Sequence, residues 1–197
     1  MTESIDRTNA QLATVLADLA EVVAAVGDDQ LRRPTPCAEF DVGELRRHIL
    51  GWLTTFAAGY ADPQGQAPAG IDDYQTPADP AAEARAAADR LTTAIGAGAA
   101  ERPLSLGESA MPGELALGMI LWEYQMHGWD LARAIGQPWS PPEAAAEESL
   151  AFAPMMLTDD YQGEGKMFGP RVEVPEDAPA FDRLLGLSGR DPAWAPR

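Results

Sequence analysis

At 197 residues, with a formal charge of -17 and a pI near 4.3, the chain is long enough for one domain with a proper core and too acidic for a nucleic-acid surface, which needs a basic stripe. No apolar run is long enough to span a membrane, and the acidic start Thr2-Glu3-Ser4-Ile5-Asp6 lacks the basic and apolar regions of a secretory signal. A single cysteine, Cys37, excludes an internal disulfide and fits a reducing cytoplasm.

Leu12, Val15, Leu16, Leu19, Val22, Val23 and Val26 recur at three and four, which predicts an amphipathic first helix ended by Gly27. Leu31 to Phe40 then reads as a loop stiffened by Pro34 and Pro36. Asp41 opens a second helix, with Glu44 three residues on to complete a capping box. Its apolar face is Val42, Leu45, Ile49, Trp52, Leu53 and Phe56; His48 lies on that face, and Arg46 and Arg47 fall toward the other side.

Residues 61–78, rich in Pro, Gly, Gln and Asp, read as a long, exposed and mobile loop. Asp79-Pro80 starts a third helix with a narrow face of Ala84, Ala87, Ala88, Leu91 and Ile95, ended by Gly96 and Gly98. Arg102 to Met111 is irregular, with room for a short extended piece. A fourth helix begins at Pro112-Gly113-Glu114 and stops at Gly136. Ser140 as cap, Pro141 as first residue and Glu143 as the reciprocal partner predict a fifth helix running to about Met156. Beyond it come a Gly- and Pro-rich stretch, an alternating piece over Arg171–Val174 and a last short helix, Ala180 to Leu187. Four main helices with one inward face each predict an all-α four-helix bundle with an extra helix. The expectation is one domain over 1–197, with the irregular tail 160–197 packed on the bundle.

Glu123 and His127 stand four apart in the fourth helix, so they project from one face, beside Met119, Trp122, Met126 and Leu131. A carboxylate and an imidazole aimed into a core are costly unless something satisfies them, and a divalent metal satisfies both. The chain has only one other histidine, His48, and it too faces inward. A lone inward histidine is ordinarily a core residue bonded to backbone or carboxylate. Two on inward faces, one with a carboxylate a turn away, point to a metal. Two imidazoles and a carboxylate suit zinc, and also nickel, cobalt or ferrous iron. Three protein donors leave a position open, as catalytic sites do, and the net positive charge favours water, hydroxide or thiolate there with a lowered pKa.

The stretch Thr35-Pro36-Cys37-Ala38-Glu39-Phe40-Asp41-Val42 with His48, and His127-Gly128-Trp129-Asp130-Leu131-Ala132-Arg133-Ala134 with Gly136-Gln137, resemble the mycothiol-dependent maleylpyruvate isomerase N-terminal family, of the DinB-like superfamily of metal-binding four-helix bundles. The tail, from Phe168-Gly169-Pro170 through Asp182-Arg183-Leu184-Leu185 to Gly189-Arg190-Asp191-Pro192, is similar to a subgroup of uncharacterised actinobacterial metal-binding proteins. The resemblance implies a DinB-like fold and zinc held by His48, Glu123 and His127. It also implies a low-molecular-weight thiol such as mycothiol, presented as thiolate to a small electrophile by a transferase or isomerase, and a homodimer as one arrangement. The isomerase carries a further C-terminal domain, and the tail here is expected to be too short to supply it. A metal-dependent hydrolase, an iron site for oxygen chemistry, and a metal- or ligand-binding module without catalysis are the alternatives.

Around the trio, Asp130 lies three residues after His127 and is placed behind it to orient its free ring nitrogen; an ion pair with Arg133 or a bond to the Thr35 loop competes with that role. Trp52, Trp122 and Trp129 read as core with a pocket-lining option, and Cys37 as a buried small residue more than a reactive thiol. Tyr124 and Arg133 are further candidates for substrate contact.

Overall fold

Each of the four long helices begins and ends where local chemistry allows it. The computed structural model describes residues 2–166 and 168–196 and gives α1 (Thr2–Ala24), α2 (Val42–Ala61), α3 (Pro80–Gly96) and α4 (Gly113–Ile135), followed by α5 (Glu143–Phe152) and α6 (Ala180–Leu187). At the start of α2 the Asp41 carboxylate accepts from the Glu44 amide at 2.9 Å and the Glu44 carboxylate accepts from the Asp41 amide at 2.9 Å. Asp79 caps α3 through the Ala82 amide, with Pro80 as first residue. Gly136, at φ 76, ends α4 in the left-handed conformation that favours glycine.

Three helix boundaries differ from expectation, one of them the end of α5, which stops at Phe152 and passes into a 3-10 turn over Ala153–Met155 where a helix to about Met156 was expected. The first helix stops at Ala24, and Gly27, at φ -82, instead donates its amide to the Gln30 side chain at the head of a short 3-10 turn. The fifth helix starts at Glu143 behind Pro142, without a Ser140 cap. Pro141 is followed by a second proline, whose ring disfavours helical backbone in the residue before it, so the start slides on. Glu143, freed from a capping box, accepts from the Ala180 amide at 3.1 Å and so caps α6.

α1 packs on α3 and α4, and α2 on α3 and α4, so the bundle closes as a ring in the order α1, α3, α2, α4. α5 lies on α4 and carries α6. The main core joins α1 to α4 around Leu12, Leu16, Leu45, Leu53, Leu91 and Tyr124. A second cluster of Trp122, Met126, Trp129, Phe152, Leu184 and Leu185 ties α5 and α6 to the far side of α4. α4 is therefore buried on both sides, which is why its sequence is apolar almost all round.

The irregular stretches contain a small sheet. β1 (Gln66–Ala67) pairs in parallel with β2 (Leu104–Leu106), and β2 pairs antiparallel with β3 (Ser109–Met111). The loop expected to be free is also tied to α2, where Arg47 donates to the Ile71 and Tyr74 carbonyls and Ile71 packs over Gly51. Arg171–Val174 does not form a strand; Val172 donates to the Gly186 carbonyl and lies along α6. The tail packs on α4, while Met167 and Arg197, within the stretch expected to do so, lie outside the described residues. Among the described residues, no helix is long and apolar enough to cross a membrane.

Candidate metal centre

α2 and α4 are neighbours in the ring, and their facing surfaces bring three donors together. His48 comes from the second turn of α2, and Glu123 and His127 from the middle of α4. One donor atom from each lies within 4.8 Å of those of the other two. His48 Nε2 is 3.6 Å from Glu123 Oε1, and the two imidazole centroids are 5.0 Å apart. A tetrahedral zinc with bonds of about 2.0 to 2.1 Å spans roughly 3.3 Å between neighbouring donors, so the His48–Glu123 pair is near that span. The donor chemistry fits as well, since two imidazoles and one carboxylate are a usual set for zinc and other first-row divalent ions.

Burial along α4 marks an opening. From Ile120 to Ala132 every residue is buried except Glu123 and His127. Their side chains keep 24% and 14% exposure and that of His48 keeps 21%, so the trio lies in a notch that solvent reaches. Phe40, held at the end of the Pro34–Asp41 loop, packs on His48 in a tilted arrangement at 4.9 Å between centroids; Trp52 meets the same ring edge-on at 6.5 Å. The Thr35 hydroxyl lies 2.8 Å from the Cys37 carbonyl and 2.9 Å from that of Phe40, which fixes this loop over the site.

Behind His127 stands Asp130, whose side chain is fully buried. Its Oδ2 is 3.2 Å from His127 Nδ1 and 2.9 Å from Arg190 Nη2. Burial raises the Asp130 pKa, but the Arg190 charge and the His127 contact outweigh it and hold the carboxyl below its ordinary range. An ionised carboxylate only accepts hydrogen bonds, so Nδ1 of His127 is the donor in this contact. Glu123 behaves alike: burial pushes it up, while His48, His127 and Arg190 bring it below the usual carboxylate range. The site therefore holds a deprotonated carboxylate at neutral pH.

The remaining candidates go elsewhere. Trp122 is core, with its Nε1 donating to the Ser188 hydroxyl at 3.1 Å, and Trp129 is core beneath Arg133, whose guanidinium sits 5.7 Å from the ring centroid. Arg133 itself donates to the Pro192 and Trp194 carbonyls and holds the tail. The Tyr124 hydroxyl is buried in the main core. Cys37 is half-buried; burial pushes its thiol up, with Arg190 opposing, so it lacks the lowered pKa of a reactive cysteine. In the sequence Arg190 figures only within the tail that carries the resemblance, with no role at the site. It belongs to a Gly-Arg-Asp-Pro turn sixty positions from Asp130, and no periodicity links the two.

The family model described as "Mycothiol maleylpyruvate isomerase N-terminal domain" matches residues 12–132, a span that contains all three donors and Asp130. Two Mycobacterium tuberculosis proteins, from strains CDC 1551 / Oshkosh and ATCC 25618 / H37Rv and both described as uncharacterized, are each 33% identical over 174 residues, covering 87% of this chain and 91% of their own. No solved structure matches the chain.

Proposed function

The chain belongs to the mycothiol maleylpyruvate isomerase N-terminal domain family, and from that premise we propose that it is a metal-dependent enzyme of small-thiol chemistry. In this reading His48, Glu123 and His127 hold a divalent ion, zinc in the first instance, and a thiol of the mycothiol type is delivered to a small electrophile in a transfer or isomerisation. The observation that carries the proposal is the convergence of two imidazoles and one carboxylate from α2 and α4 at a single, partly open point. A bound divalent ion would supply positive charge that lowers the pKa of a thiol or water beside it toward neutrality.

The chain's own groups perform the preparatory work. Asp130 accepts from His127 Nδ1, fixing the tautomer and the plane of the ring. Glu123 brings a negative charge that offsets part of the ion's, leaving the site net positive and receptive to an anionic sulfur. Phe40 covers one face of His48 and Trp52 meets its edge, so the wall beside the donors is apolar and keeps water from that side. The notch at Glu123 and His127 is the route by which a small molecule reaches the donors.

The test is elemental analysis of the purified protein together with mycothiol consumption against a panel of small electrophiles. Stoichiometric zinc, nickel or cobalt with mycothiol-dependent turnover is expected, and both are expected to disappear in His127→Ala. A metal-loaded protein that consumes no mycothiol overturns the thiol chemistry. If it then hydrolyses small esters or amides, the chain is a metallohydrolase; if it binds ligands tightly without turnover, it is a binding module. Native iron instead would direct the reading to oxygen chemistry.

A further inference from the structure

The segment Ser188–Trp194 lies along α4 and is fastened at three points. The Ser188 hydroxyl accepts from Trp122 Nε1, Arg190 pairs with Asp130, and the Pro192 and Trp194 carbonyls accept from Arg133. The Arg190 pair is two-pointed: Nη2 is 2.9 Å from Asp130 Oδ2 and Nε is 3.4 Å from Oδ1. Its Nη1 donates to the Ser188 carbonyl at 2.9 Å, so the guanidinium is committed to this strap and to Asp130. Its side chain is only 12% exposed and Asp130 is fully enclosed. The same Oδ2 that takes Arg190 also faces His127 Nδ1.

From this we infer that Arg190 is a positioning residue for the metal centre, and that docking of the 188–194 strap and occupancy of the centre are one linked equilibrium. The inference rests on the metal reading above and adds its regulation by the tail; Arg190 lies outside the residues 12–132 that the family model matches. The physical argument is short. A buried carboxylate that loses its cation is left uncompensated and reorients toward another partner. When Asp130 turns, His127 loses the acceptor that fixes its ring, and outer groups of this kind govern the affinity of a metal for the imidazole they orient. Linkage makes the effect mutual, so an ion at the donors favours the docked strap as much as the strap favours the ion.

The experiment uses the full chain loaded with cobalt(II), whose visible spectrum reports coordination geometry, with affinities from chelator competition. Arg190→Ala is expected to weaken cobalt binding by about 10- to 100-fold and to alter the band shape. Arg190→Lys is expected to fall between, because an ammonium gives a point charge but not the two-point fork. Arg133→Ala loosens the same strap without touching Asp130 and is expected to weaken binding far less. Hydrogen exchange at 188–194 is expected to slow on cobalt addition in the wild type and not in Arg190→Ala. Cobalt affinity and spectrum unchanged in Arg190→Ala overturns the inference and leaves the metal reading standing. A wild-type chain that binds no cobalt overturns both. Should Arg190→Ala lack the helical circular dichroism of the wild type, Arg190→Lys decides alone: reduced affinity supports the inference and wild-type affinity sinks it.

Discussion

Tyr60 and Tyr124 are both buried in the main core, yet among the described residues only the first has a partner for its hydroxyl, donating to the Gly113 carbonyl at 2.7 Å. Tyr60→Phe is therefore expected to destabilise by about 1 to 2 kcal/mol. Tyr124→Phe removes an unmade bond and is expected to be neutral or stabilising by up to about 1 kcal/mol; urea melts of both variants decide. Burial holds the Tyr60 phenol far above its ordinary value against the opposing Arg102 charge, so this contribution is intact below about pH 10, the unfolded value, and is lost as pH rises beyond it. The gap between wild type and Tyr60→Phe is thus expected to narrow above about pH 10, and a constant gap would refute the assignment. The same scale shows what could be read without coordinates. Glu123 and His127 share a face because four residues make about a turn, and His48 is the only other histidine and also falls on an inward face, so their meeting was expected from helical period. Asp130 was in reach by the same rule. Arg190 was not, because loop geometry alone carries it to α4.

Where an element starts is legible when the signal is held within three or four residues. The box of Asp41 and Glu44, the Asp79-Pro80 start and the Gly136 stop act on backbone groups one turn away, and α2, α3 and α4 begin or end there as expected. The Ser140-Pro141-Pro142 start misled because one local rule overrode another: the proline after Pro141 outweighed the cap. Of the small sheet only an extended piece within Arg102–Met111 was expected, where β2 and β3 lie; the pairing was not legible, since strands of two and three residues are too short for alternation and β1 pairs with a partner far along the chain. Two substitutions test the elements themselves. Asp41→Ala removes the cap of the helix that carries His48 and is expected to cost about 1 kcal/mol, a fall in Tm of about 2 to 4 °C. Gly128 lies between His127 and Trp129 where a Cβ would stand 2.2 Å from two atoms of the Trp139 ring, so Gly128→Ala is expected to cost about 1 to 3 kcal/mol. Pairing it with Trp139→Leu should recover part of that loss; additive losses would mean the ring is not what the methyl meets.

At the scale of the molecule the donors occupy the seam between α2 and α4, and α4 also carries the second cluster that binds α5, α6 and the tail. An ion held as proposed between α2 and α4 would brace the ring directly and the tail through Asp130, so its binding energy would appear in global stability. An ion at about 100 times its dissociation constant contributes about 2.7 kcal/mol. In a chain of this size that raises Tm by about 5 to 10 °C, and chelation should reverse it. The charge of -17 complicates the measurement, because any divalent cation screens self-repulsion and stabilises a little. Magnesium supplies the comparison: it shares the charge and the screening but prefers oxygen donors in octahedral array, which two imidazoles cannot satisfy. Zinc is expected to raise Tm well above an equal concentration of magnesium in the wild type, and to match magnesium in His48→Ala and in His127→Ala. If zinc and magnesium stabilise the wild type equally, the gain comes from the acidic surface, and the three side chains between α2 and α4 form no metal site.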